Sequence, residues 1–527
     1  MQFRNNYLKT FLVFWAAIFL IGIIYIRFRL LGLPLERDEG EYAYMAQQLL
    51  QGILPYTESQ SMKFPGIYIA YAGILAVFGH SPVAIHLSLL IVNLATAFLL
   101  YLLARNLWSH SAGIVSTVSF SVLTLSPSLQ GVWANSEHFV LLPAIGGILL
   151  LRMAKDRPVQ LFLSGLLLGS ALLIKQHAIF FCLFGVISLV GSKRLKKTFL
   201  HLSIFFAGVL TPVFLSAILY GITGNFSDLW FSTIQYASEY VSLVAPGQGF
   251  ENFKYVFAKI LEPNFSILWL SLFGLASVFW RKEGKPEYLY LFGFFLCSFL
   301  AVTPGFYFRP HYFLLWIPAL SLLVGLSFES IIRIFSSPKF KTIIPAGILV
   351  LVFALPIWIQ KEFFFVFSLK EATRWTYGMN PFWESLETAK YIRDHSHKGD
   401  QVAILGSEPQ ILFYAQRKSA TRYIYMYPLM EKHPYAHQMQ TNMIEEIEKA
   451  RPKFVMVVNI AGSWVSPRPD LSPLLKDWSQ DYLNKEYEIT GVVDNLSHEE
   501  SVSMWSEEVK GYHTQSMYNF LVYKRRV

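Results

Sequence analysis

The sequence predicts a polytopic α-helical membrane protein of about eleven spans, followed by a C-terminal α/β domain. Three observations carry this. Of 527 residues, 54% are hydrophobic and only 15% are charged, whereas a soluble protein of this size carries roughly a quarter charged residues. Apolar runs recur through residues 1–360, most of them near the ~20-residue length that crosses a bilayer core. From about Lys361 the runs stop, and short strand-like and helix-like segments alternate.

The first run, about residues 11–26, is long and lacks a small-residue cleavage site, so it reads as a retained helix. The predicted spans are 8–30, 83–106, 111–128, 137–153, 159–175, 177–191, 199–221, 264–280, 287–303, 312–334 and 342–360. Alternate loops are basic. One set holds Arg4 and Lys9, Arg105, then Arg152, Lys155 and Arg157, then Lys193, Arg194, Lys196 and Lys197, then Arg281, Lys282 and Lys285, then Lys339 and Lys341. By the positive-inside rule this set is cytoplasmic. It accounts for the net charge of +9 without a nucleic-acid partner. The opposite, extracytoplasmic set is mixed and polar, and all candidate chemistry falls on it. Cys182 and Cys297 both lie inside apolar runs, so they read as packing residues and no disulfide framework is implied.

The loop after the first span, residues 31–82, carries a tight cluster of charge. Arg37-Asp38-Glu39-Gly40-Glu41-Tyr42 sits at the mouth of a membrane helix, where carboxylates are costly and mark function by default. Residues 38–52 carry an apolar stripe of Tyr42, Met45, Ala46, Leu49 and Leu50, which predicts an interfacial helix begun and capped by Asp38 and Glu39. Lys63-Phe64-Pro65-Gly66 opens a second apolar segment, 67–79, too short to span and read as lying in the interface. Capping explains one carboxylate. It leaves the others, and a lysine before Pro-Gly, as candidates for a site.

Lys175-Gln176 separates two short spans, so Lys175 is either a snorkelling lysine or part of a functional polar knot with Gln176 and His177. Glu137 and His138 open the fourth span beside Asn135 and Ser136, and Arg309 and His311 precede the tenth. In the C-terminal segment, residues 384–396, 409–417 and 435–450 read as helices, and 401–406, 453–458 and 520–523 as strands. Gly406-Ser407-Glu408-Pro409 reads as an ordinary strand-to-helix connection with a capped helix start. The sequence carries no phosphate-binding glycine loop, no Cys/His set with metal-ligand spacing and no nucleophile elbow.

The order of these pieces resembles the GT-C superfamily of polytopic glycosyltransferases. It is most similar to the bacterial branch of protein mannosyltransferases and lipid A aminoarabinose transferases. The matching pieces are Asp38-Glu39-Gly40-Glu41-Tyr42-Ala43, Gly52-Ile53-Leu54-Pro55-Tyr56, Lys63-Phe64-Pro65-Gly66-Ile67-Tyr68, Asn135-Ser136-Glu137-His138-Phe139, Lys175-Gln176 and Arg309-Pro310-His311-Tyr312-Phe313. The resemblance covers roughly residues 8–360. Phe64 departs from the usual Lys-Pro-Pro, and Met62 stands where the aminoarabinose branch has a Glu.

The resemblance implies a GT-C-like transmembrane domain over 1–360, and the odd number of spans puts the α/β domain, 361–527, on the extracytoplasmic side. The resemblance also implies transfer of a sugar from a polyprenyl-phosphate donor to a lipid, glycan or protein acceptor, with inversion, at the outer face of a bacterial inner membrane. Asp38 would be the general base, with Glu39 second. The lipid phosphate would meet Lys63 first, then Arg309, Lys175 and His311. Glu41, Glu137, His138 and Gln176 would line the substrate site. Some relatives use a metal and others do not, so Mg²⁺ or Mn²⁺ on Asp38, Glu137 and His311 stays open. The rival readings are a transporter or flippase for a lipid-linked sugar, whose charges would sit near the midplane on broken helices, and a membrane scaffold.

Overall fold

The computed structural model describes residues 2–154, 157–191, 195–280, 284–335, 337, 340–464 and 474–526. Of the basic loop residues named above, Lys155, Lys193, Arg194, Arg281, Lys282 and Lys339 lie outside the described residues, as do the side chains of Arg4 and Lys196.

The chain is a multi-pass membrane protein, and every predicted span is helical at its core. Among the described residues, seven helices are long and apolar enough to cross a membrane: Leu8–Arg29, Pro82–Leu107, Ser136–Ala154, Lys197–Ile222, Pro246–Phe279, Pro310–Ile334 and Phe340–Ile359. The other four predicted spans form shorter helices, His110–Leu123, Pro158–Ile174, Gln176–Val190 and Lys285–Leu300. At 1.5 Å per residue, the 14 residues of His110–Leu123 rise about 21 Å, short of a full hydrocarbon core. The span predicted at 264–280 is only the second half of a helix that begins at Pro246. Glu251, Lys254, Lys259 and Glu262 break the apolar window there, and Pro263 imitates a helix start inside the helix.

Both predicted loop helices form, at Arg37–Leu50 and Gly66–Phe78. The cap of the first differs from expectation. Glu36 is the N-cap: its carboxylate accepts from the Glu39 N–H at 3.0 Å, and the Glu39 carboxylate accepts from the Glu36 N–H at 3.1 Å. Asp38 is thereby released from capping. Tyr42, Met45 and Ala46 are buried on one side, and Ala43, Tyr44, Gln47 and Gln48 on the other. The second side is covered by the helix Pro409–Ala415 of the C-terminal domain, and Gly40 allows the approach: a Cβ there would lie 2.6 Å from the Gln410 backbone nitrogen.

The C-terminal domain is built on a six-stranded sheet, β1 Gln401–Leu405, β2 Lys418–Ser419, β3 Phe454–Asn459, β4 Tyr487–Asn495, β5 Ser501–Trp505 and β6 Asn519–Arg525, in the order β2-β1-β3-β6-β4-β5. The β2, β1 and β3 strands are parallel, and β6, β4 and β5 pair antiparallel. Sequence periodicity finds β1, β3 and β6, which are apolar runs. It misses β2, which has only two residues, β4, whose pairing shifts register between Ile489 and Gly491, and β5, a half-buried edge. The predicted helices stand at Glu384–Asp394, Pro409–Ala415 and Ala436–Ala450.

Candidate functional site

Freed from capping, Asp38 points away from its helix. Its Oδ1 lies 3.0 Å from Lys63 Nζ and 3.2 Å from the Tyr425 hydroxyl, and its Oδ2 lies 3.9 Å from His311 Nε2. Lys63 is held as tightly. Its ammonium also pairs with Glu41 at 2.6 Å and sits 4.6 Å from the Tyr42 ring centroid. Glu41 in turn accepts from Ser61 and Tyr68, at 2.5 and 2.7 Å. The Pro65-Gly66 turn docks this lysine onto the bundle. A Cβ at Gly66 would lie 2.6 Å from the Leu173 carbonyl oxygen, so only glycine lets the loop meet the end of Pro158–Ile174. Gln176 seals the junction by donating to the Met62 carbonyl at 2.7 Å.

Lys175 follows directly. It is buried, pairs with Glu137 and lies 4.2 Å from the Tyr312 ring centroid. This removes the snorkelling alternative, because the ammonium turns into protein and away from water. His311 stands between the two ion pairs, with Nε2 3.9 Å from Asp38 Oδ2 and 3.9 Å from Glu137 Oε1. Its Nδ1 lies 2.7 Å from Gln130 Oε1, within hydrogen-bond distance. Asp38 is the accessible member, with 27% of its side chain exposed against 0% for Glu137. Burial works to raise the Asp38 pKa, but the Lys63 ammonium and then His311 outweigh it and hold the carboxyl well below the usual range. Burial likewise opposes the Lys63 charge, and Asp38 and Glu41 hold its pKa well above the ordinary value.

The C-terminal domain roofs this cluster. Arg37 pairs with Glu408 at 2.8 Å and donates to the Ser407 carbonyl at 2.6 Å and to Asn380 Oδ1 at 3.0 Å. Glu408 accepts from Ser463 Oγ at 2.6 Å. The Gly406–Glu408 turn is therefore part of the domain junction. The helix start, expected to be capped, has Glu408 at its N-cap position with no side-chain cap bond, and Glu408 turns to Arg37 instead. Tyr425 reaches down from the same domain, its hydroxyl also 2.8 Å from the Arg37 carbonyl oxygen.

Beside His311 opens a cavity of about 840 Å³, lined by Gln130, Tyr255, Lys259, Arg309, Phe363 and Trp375 among others. The Arg309 guanidinium lies 5.5 Å from the Tyr307 ring centroid and is exposed. Among the described residues no carboxylate forms an ion pair with it. The cavity walls mix apolar side chains with the cations Lys259 and Arg309 and the carboxylates Glu262 and Glu362, a lining that suits an amphiphile with a charged head.

Over 97% of its length the chain superposes on 98% of ArnT from Cupriavidus metallidurans bound to undecaprenyl phosphate, with a TM-score of 0.59 at 11% identity. The chain has the GT-C fold. Two further GT-C structures match, both of the Archaeoglobus fulgidus oligosaccharyltransferase. The complex of AglB with an inhibitory peptide and a dolichol-phosphate matches at TM-score 0.52 and 10% identity, covering 96% of this chain and 75% of that one. The complex with zinc and sulfate matches at TM-score 0.53 and 12% identity, covering 94% and 74%. Residues 63–219 match the dolichyl-phosphate-mannose-protein mannosyltransferase family, a stretch that opens on Lys63 and includes Glu137 and Lys175. No curated protein matches the chain by sequence.

Within this fold, Asp38, Glu41, Lys63, Glu137, Lys175, Gln176 and His311 come together as one linked network, with Arg309 on the adjoining cavity. Two of the predicted residues stand apart from it. Both Glu39 oxygens are occupied, by His86 Nε2 at 2.9 Å, the Ala134 N–H and the Glu36 N–H. His138 is buried and bonds Asn93 through Nδ1 at 3.1 Å. Sequence reasoning did not single out Arg37, Glu408, Gln130 or Tyr425 as site residues. Arg37 lay inside the quoted motif. No spacing relates Tyr425 to a loop 387 positions away.

The metal set left open, Asp38, Glu137 and His311, does not fit this centre. Among the described residues no group of three His, Cys, Asp or Glu side chains could hold a metal ion. Asp38 and Glu137 each already carry an ammonium partner, and a divalent ion between them would face both Lys63 and Lys175.

Proposed function

We propose that this GT-C protein is a glycosyltransferase that moves a sugar from a polyprenyl-phosphate donor to an acceptor hydroxyl, with inversion, on the extracytoplasmic side of a bacterial inner membrane. The observation that carries this reading is a partly exposed, ionised carboxylate, Asp38, with one oxygen held by Lys63 and Tyr425 and the other 3.9 Å from His311, near a cavity lined by Arg309, which has no ion-pair partner among the described residues. The phosphate-carrying lipids named for ArnT and AglB support the donor class.

The acceptor oxygen attacks the anomeric carbon opposite the lipid phosphate. The bond from that carbon to the phosphate oxygen breaks, and the phosphate keeps the electron pair. The acceptor proton passes to Asp38 Oδ2. A carboxylate of low basicity suffices, because the hydroxyl becomes strongly acidic as its new bond forms. Arg309 takes the leading place against the departing phosphate. Lys63 is already neutralised by Asp38 and Glu41, and Lys175 by Glu137. Glu41 and Gln176 hold the Lys63 loop, and Glu137 with Lys175 fixes the floor under His311.

Two results are expected from assays of purified protein with radiolabelled polyprenyl-phosphate sugars and native membrane extract. Arg309→Ala raises the donor KM about tenfold to a hundredfold, the worth of a charge-assisted bond to phosphate. An unchanged KM would remove Arg309 from the donor site. Transfer also persists in EDTA, because Lys63 and Lys175 already occupy the carboxylates that a divalent ion would need, and Arg309 is left for the phosphate. Loss of activity in EDTA, restored by Mg²⁺ or Mn²⁺, would overturn this. Failure of every lipid-linked sugar to turn over would reject the transferase reading.

A further inference from the structure

The Asp38 carboxylate is held from two sides by different parts of the chain. Lys63 comes from its own loop. Tyr425 comes from the C-terminal domain, and its position there is fixed by a buried chain of hydrogen bonds. The Met426 N–H donates to Ser407 Oγ at 2.9 Å, and Ser407 Oγ donates to the Ser463 carbonyl at 2.6 Å. The Ser407 N–H donates to Ser463 Oγ at 2.7 Å, and Ser463 Oγ to Glu408, the partner of Arg37. Ser407, Glu408 and Ser463 are fully buried, so the loop carrying Tyr425 is locked to the ends of β1 and β3 and to the residue before Asp38.

The Tyr425 hydroxyl meets only acceptors, the Arg37 carbonyl at 2.8 Å and Asp38 Oδ1 at 3.2 Å, so its one hydrogen is shared between them. The ring is buried, stacks on Tyr427 with centroids 5.6 Å apart, and lies 5.8 Å from Lys63 Nζ. Burial, and then Glu41 and Asp38, raise its pKa well above the ordinary value, so the phenol keeps its proton and remains a donor.

We propose that Tyr425 is a positioning residue for the transfer reaction: it pins Asp38 Oδ1 from the roof so that Oδ2 is aimed at the acceptor, and it makes the docked C-terminal domain a working part of the catalytic centre. Lysine alone does not fix the carboxylate, because Lys63 is shared with Glu41 and its ammonium bonds without a required direction. Two donors on one oxygen, from different directions, fix the plane of the carboxyl group and leave the other oxygen to the substrate.

This inference rests on Asp38 being the base, so its test keeps the two apart. Tyr425→Phe, Asp38→Asn and the double variant are compared in the donor assay, with long incubations for the slow forms and a thermal unfolding midpoint for each. Tyr425→Phe is expected to lower kcat roughly tenfold, the worth of one hydrogen bond to a charged group, with KM for donor and the unfolding midpoint unchanged. Added to Asp38→Asn, it should cost nothing further, because the group it aims is gone. Wild-type kcat in Tyr425→Phe, with Asp38→Asn inactive, would overturn the role of Tyr425 and leave the base reading intact. The same loss in both backgrounds would show that Tyr425 acts through the fold and would also overturn it. Full activity in Asp38→Asn would remove the base, and the role of Tyr425 with it.

Discussion

Asp38→Asn is expected to lower transfer by about 10²–10⁴-fold while donor binding is retained, the loss that follows removal of a positioned general base. The substitution is close to isosteric. Lys63 keeps Glu41 at 2.6 Å, so no ammonium is stranded in a buried site and the loop keeps its shape. What disappears is the capacity of the Oδ2 position to take a proton. The rate against pH gives a second reading. The Asp38 carboxyl is held below the usual range chiefly by Lys63, after its burial is outweighed. A depressed carboxyl stays ionised above its folded pKa and is lost as base only when pH falls through that value. The wild type should therefore show no acid limb from Asp38 in the ordinary carboxylate range, about pH 4. Transfer by Asp38→Asn within a few fold of wild type would place the base elsewhere.

Lys175→Met is expected to destabilise the protein by about 3–5 kcal/mol, the usual cost of removing one partner from a buried ion pair. Glu137 has no exposed side-chain surface, and its other neighbour, Ser136, bonds it only at 3.3 Å. His311, at 3.9 Å, is too distant to replace an ammonium in contact. The Tyr312 ring would lose its cation as well. Replacing both partners, as Lys175→Met with Glu137→Leu, should recover much of the stability, because no charge is left buried and alone. Thermal unfolding in detergent measures both variants. An unchanged midpoint for Lys175→Met would mean that the Glu137 carboxylate does not depend on this lysine. The double variant separates folding from chemistry: a stable but slow enzyme would assign the pair to the reaction, and a stable and fast one to the fold alone.

The membrane domain and the charged loop were legible because their causes are local. An apolar run long enough to cross a bilayer announces itself within its own residues, and so does a lysine between two short spans. The helices Arg37–Leu50 and Gly66–Phe78 followed from an apolar stripe and from a Pro-Gly start. The motif glycines were visible, but their purpose was not. Gly40 and Gly66 are small because Gln410 and the Leu173 carbonyl press on them, and neither neighbour is near in sequence. The same distance hid the true cap. Asp38 and Glu39 both suit a helix start, and only the fold shows Glu36 taking the cap, Glu39 turning to His86, and Asp38 left for Lys63.

By itself the sequence determined a helical membrane protein with an α/β end and a set of charged groups carried by the loops of one side. Periodicity and hydropathy act over one element at a time, and they suffice for that. Tertiary structure decided which charges are neutralised and which remain available. Lys63 and Lys175 are spent on carboxylates, Arg309 faces a cavity without a described ion-pair partner, and Asp38 is completed by Tyr425 from the far end of the chain. A charge acts through its distance to other charges and its removal from water, and both are set only when segments remote in sequence are packed together.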